Sequence, residues 1–103
     1  MTLKVARIHS SAFDAGTNSK SVYEPADIIV YLTNNDTYFA PFFPYPTIQQ
    51  IKKKNYESGL NLHGLYFWSK NMVIVEDCKP ETVKRVIHHL IEEGEFEFAF
   101  QKL

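Results

Sequence analysis

The stretch DIIVYLTNNDTYFAPFF, residues 27–43, decides the fold. Residues 27–33 are rich in β-branched and apolar side chains, which suit a pleated, half-buried surface. Asn34, Asn35 and Asp36 follow, and such side chains tolerate positive φ and bond to nearby backbone, so they turn the chain. Residues 37–43 return as a partner strand, and the whole reads as a β-hairpin. Pro41 has no N–H to give to a ladder, so the return strand is expected at an edge or a bulge.

Before the hairpin, residues 3–9 alternate and read as a first strand. The connection 10–25 is dominated by Ser, Asn, Gly, Asp and Lys and reads as a flexible loop, long for a segment with no structure of its own. After the hairpin, Pro44-Tyr45-Pro46 stops the strand. Thr47 with Gln50 three residues later is the pattern of a capping box, and Gly59 suits the left-handed position past the end of the helix so begun. Residues 60–68 hold a further strand, 69–71 a turn, and 72–76 pair back as a second hairpin. Pro80 suits the first turn of a second helix, along which Val83, Val86, Ile87, Leu90 and Ile91 form an apolar stripe. Gly94 closes it. Residues 95–101 alternate, which predicts a final strand with Phe96, Phe98 and Phe100 on one face.

The order is β-ββα-ββα-β, and the two middle units match at one offset. Tyr31 and Tyr66, Thr47 and Thr82, Glu57 and Glu92, and Gly59 and Gly94 each lie 35 apart, which marks 27–59 and 62–94 as candidate repeat units of an internal duplication. The predicted class is α+β: an antiparallel sheet of about five or six strands with two helices on one face, in a single domain over 1–103.

Eleven basic and twelve acidic side chains leave a net charge of −1, so no broad field steers the chain to nucleic acid or an anionic membrane. One cysteine, Cys78, excludes an internal disulfide and fits a reducing, cytoplasmic setting. Met1-Thr2-Leu3-Lys4-Val5 has no basic region leading into an apolar run, so no signal peptide is expected, and no stretch reaches the ~20 apolar residues of a membrane span.

No motif with catalytic chemistry passes its context test. His88 with Glu92 and His89 with Glu93 have the i,i+4 spacing of metal ligands, but no HExxH or Cys/His pattern adds a third, so neither metal nor cofactor is expected. Gly16-Thr17-Asn18-Ser19-Lys20-Ser21 lacks the second glycine and the following helix of a phosphate loop. Lys52, Lys53 and Lys54 next to Tyr56 could track single-stranded nucleic acid, yet only two arginines occur in the chain and a lysine run is ordinarily a solvated helix face. Cys78 sits before a helix start, where a thiolate is favoured, and with His63 and Tyr45 it defines an alternative reading: a small enzyme or small-molecule binder with a pocket near those three.

Aromatic residues carry the remaining signal. Eight Phe, six Tyr and one Trp make 15% of the chain, more than a core of this size must absorb. Both faces of the predicted strands bear them, so one set should form an apolar patch on an aromatic-rich sheet face, as binding surfaces do. Tyr38, Phe42, Tyr45, Phe67 and Trp68 are the candidate binding residues. The expected function is a non-enzymatic protein-interaction module (a small adaptor, an inhibitor or a homodimeric binding domain) with another protein or a second copy as partner.

Overall fold

The computed structural model describes residues 3–11 and 22–103. Nine elements follow one another in these segments: β1 (Val5–Ser10), β2 (Ala26–Leu32), β3 (Thr37–Pro44), α1 (Tyr45–Ser58), α2 (Leu60–Gly64), β4 (Val73–Val75), α3 (Pro80–Glu92), α4 (Phe96–Ala99) and β5 (Gln101–Lys102). The class is α+β. Of the connection expected over 10–25, residues 12–21, the glycine-lysine segment 16–21 included, lie outside the described residues.

The hairpin forms where the sequence places it. β2 and β3 pair antiparallel with Tyr31 opposite Thr37 and Ile29 opposite Phe39. Asn35 takes a positive φ of 73° in the turn, and the Asp36 N–H donates to Asn34 Oδ1 at 2.9 Å. β1 adds antiparallel to the free side of β2. The other side of β3 is shared by two short strands. β5 lies antiparallel beside Tyr38 and Phe39, whereas β4 lies parallel beside Phe42, Phe43 and Pro44. Pro41 falls between the two, opposite neither.

The sheet is therefore mixed, not wholly antiparallel. β4 arrives by a crossover, 45–72, and a crossover of this length is what returns a strand parallel to its predecessor. The second hairpin is absent for the same reason. Residues 60–64 form a left-handed turn, with Asn61, Leu62 and His63 all at φ between 53° and 57°, and no strand forms before Val73. The second unit thus does not reproduce the hairpin of the first.

Alternation along the strands divides the sheet faces cleanly. Ala26, Ile28, Val30 and Leu32 of β2 and Tyr38, Ala40 and Phe42 of β3 are buried on one face. α3 brings Val83 and Ile87 to that face, α4 brings Phe96, and Phe100 follows. The rings interlock: Tyr38 meets Phe96 edge-on at 5.0 Å, Phe96 stacks on Phe100 at 4.6 Å, and Phe100 meets Phe42 edge-on at 5.8 Å. Fully burying side chains of this size contributes about 1.5–3 kcal/mol each before entropy is counted.

Residues 95–101 are not one strand: Phe96 and Phe100 lie four apart and turn inward together, while Phe98 is 84% exposed. A turn of helix buries i and i+4 where a strand would bury i, i+2 and i+4. Among the described residues α3 and α4 are the helices that cover the core face; α1 supplies no member of the core cluster and buries Thr47 and Asn55. α1 starts at Tyr45 with Pro44 before it and no side-chain cap: the expected capping residue, Thr47, lies inside the first turn, and its hydroxyl donates to the Tyr23 carbonyl.

Candidate interaction surface

α1 leaves the sheet at the end of β3 and ends at Gly59, whose φ of 86° closes the helix as the sequence predicts and whose N–H donates to the Asn55 carbonyl at 2.9 Å. The left-handed turn α2 then folds back on α1. His63 Nδ1 donates to the Tyr56 carbonyl at 3.2 Å. Gly64, at φ 79°, passes so close that a Cβ there would stand 2.7 Å from the Lys52 carbonyl oxygen and 3.1 Å from the Tyr56 nitrogen. Leu65 N–H closes the turn on the carbonyls of Asn61 and Leu62 at 3.0 and 3.2 Å.

This geometry holds apolar side chains in solvent. Leu60, Leu62, Leu65, Tyr66 and Trp68 are 61%, 68%, 77%, 51% and 68% exposed. A left-handed turn costs non-glycine residues about 1–2 kcal/mol each, so three in a row persist only where neighbouring contacts fix them. Beyond the turn, Phe67 packs edge-on against Phe43 at 5.5 Å and anchors the segment to the sheet. The segment ends at Asn71 (φ 59°), whose amide donates to the carbonyl of Ala99 at 2.9 Å and reaches that of Phe98 at 3.5 Å.

Charge is distributed unevenly around this surface. Residues 45–72 hold Lys52, Lys53, Lys54 and Lys70 against one acid, Glu57, whereas Glu92, Glu93, Glu95 and Glu97 cluster at the α3–α4 junction. All of these side chains are exposed.

The five candidate binding residues separate into two groups. Tyr45 and Trp68 are exposed, and Phe67 is half-buried on the same side chain cluster as Phe43. Tyr38 and Phe42 lie inside the core, with the Tyr38 hydroxyl donating to Glu97 at 3.3 Å. Their neighbours Phe39 and Phe43 occupy the opposite sheet face, with Ile29, Tyr31 and Pro41, and there Arg7 sits 4.3 Å above the Tyr31 ring. The sheet thus has an aromatic second face, made of the odd positions of β3 and not the even ones. Leu60, Leu62, Leu65 and Tyr66 escaped the sequence reading because a strand was expected there. The signal for the turn was Gly59 and Gly64 bracketing Asn61 and His63, residues that enter positive φ most readily.

His63, Tyr45 and Cys78 do not converge. His63 is tied to Tyr56, about three helical turns along α1 from Tyr45. Cys78 is wholly buried, and burial, then the neighbouring Asp77, pushes its thiol up to about 11, which keeps it neutral and unreactive. Asp77 itself is held below the usual carboxylate range by the Thr82 hydroxyl and by the Lys79 N–H, which donates to it at 2.9 Å. It fastens the start of α3. A shallow groove of about 850 Å³ beside α3 is lined by Glu76, Asp77, Arg85, His88, His89 and Glu92 among others, and by none of those three candidates. Among the described residues no three His, Cys, Asp or Glu side chains stand where they could hold a metal ion, and no helix is long and apolar enough to cross a membrane.

No family model matches the chain, and no curated protein and no solved structure matches it significantly.

Proposed function

We propose that this chain is a non-enzymatic protein-interaction module that docks through the apolar surface built by Tyr45, α2 and residues 65–68. One observation carries the reading: five large apolar side chains within nine residues are more than half exposed, on a backbone held in an unfavourable conformation to keep them so. Single exposed leucines are ordinary, but five large apolar side chains exposed within nine residues are a density that soluble surfaces rarely carry unless something covers them. Trp and Tyr are also the side chains most often found as binding anchors, since they cover large areas with few rotatable bonds. The second sheet face, with Tyr31, Phe39 and Phe43, adjoins this surface through the contact of Phe43 with Phe67. A reducing, cytoplasmic setting fits the reading, because Cys78 is a buried free thiol.

The test is photo-crosslinking from two positions in the cells that make the protein. A photoreactive residue at position 68 is expected to give a discrete higher-mass protein adduct, and one at Lys84 on α3 is expected to give none. No adduct from position 68, or the same adducts from both, would reject the proposal.

A further inference from the structure

We draw no further inference here: the strongest candidate, the sheet face opposite the core, where Ile29, Tyr31, Phe39 and Phe43 share one side of β2 and β3, carries nothing because nothing in the structure shows what covers it.

Discussion

The side-chain amide of Asn71 donates to the backbone carbonyl of Ala99 at 2.9 Å, and this bond joins the two short strands that share one edge of β3. β4 begins two residues after Asn71 and β5 two residues after Ala99. Between them β3 offers Ala40 and Pro41 with no strand opposite, so the amide spans the gap that the sheet leaves open. Asn71 also sits at a positive φ of 59°, which asparagine accepts better than most residues.

Asn71→Ala is expected to lower stability by about 1–2 kcal/mol, through loss of the hydrogen bond and strain at positive φ. Asn71→Gly relieves the strain and not the bond, so its urea midpoint should fall between those of wild type and the alanine variant.

Gly64→Ala should cost at least about 2 kcal/mol, because the left-handed backbone is strained by any Cβ and this one also strikes the Lys52 carbonyl oxygen at 2.7 Å. Gly94 has a similar φ of 71° but nothing within 4 Å of a Cβ, so Gly94→Ala should cost only about 1 kcal/mol. Equal losses in thermal or urea unfolding would mean that α2 does not lie against α1 as closely as described.

Three phenylalanines at alternate positions should behave in two different ways. Phe96→Ala and Phe100→Ala each open a cavity beside stacked rings and should cost about 3–5 kcal/mol. Phe98→Ala, at a site 84% exposed, should change stability by less than about 0.5 kcal/mol. A strand over 95–101 would make all three equally costly.

Alkaline pH should unfold the protein by two groups acting in the same direction. Burial first, then Glu97, raises the Tyr38 phenol above its ordinary 10.0, and burial and Asp77 raise the Cys78 thiol to about 11. Both are neutral in the fold. Their contribution is whole below their unfolded values and is lost as pH rises through the folded ones. Urea midpoints should therefore fall as the pH climbs past the unfolded thiol and phenol values, and Cys78→Ala should shallow that fall. Cys78 should also resist a thiol reagent at neutral pH until urea unfolds the chain.

The hairpin could be read from the sequence because its information is local: β-branched residues at 27–33, turn formers at 34–36 and a proline that marks an interrupted edge. α3 was legible through its five-residue apolar stripe, and the ends of both long helices through Gly59 and Pro80. The rest depended on tertiary contacts. A Phe-Glu-Phe alternation satisfies a strand as well as a short helix, and the choice was made by the distance between Tyr38 and Phe42, which Phe96 and Phe100 must reach together. Residues 60–68 looked like a strand because their aromatic content suits one. Their backbone is decided by Gly64, which fits against α1 only without a side chain. Parity caused the last difference: of neighbouring aromatics in one strand, Tyr38 and Phe42 face the core while Phe39 and Phe43 do not, and a register of one residue cannot be read from so uniform a stretch.

The apolar face of the β2–β3 hairpin is covered by Val83, Ile87, Phe96 and Phe100, which follow it by some forty to sixty residues. A ribosome makes the hairpin first and its cover last. Through that interval Ile28, Val30, Leu32 and Phe42 have no lasting burial, and an unfinished chain with bare strands is open to adhesion and to chaperones. Any truncation before Phe100 should therefore leave a chain that cannot finish its core, whatever the intrinsic strength of its turns.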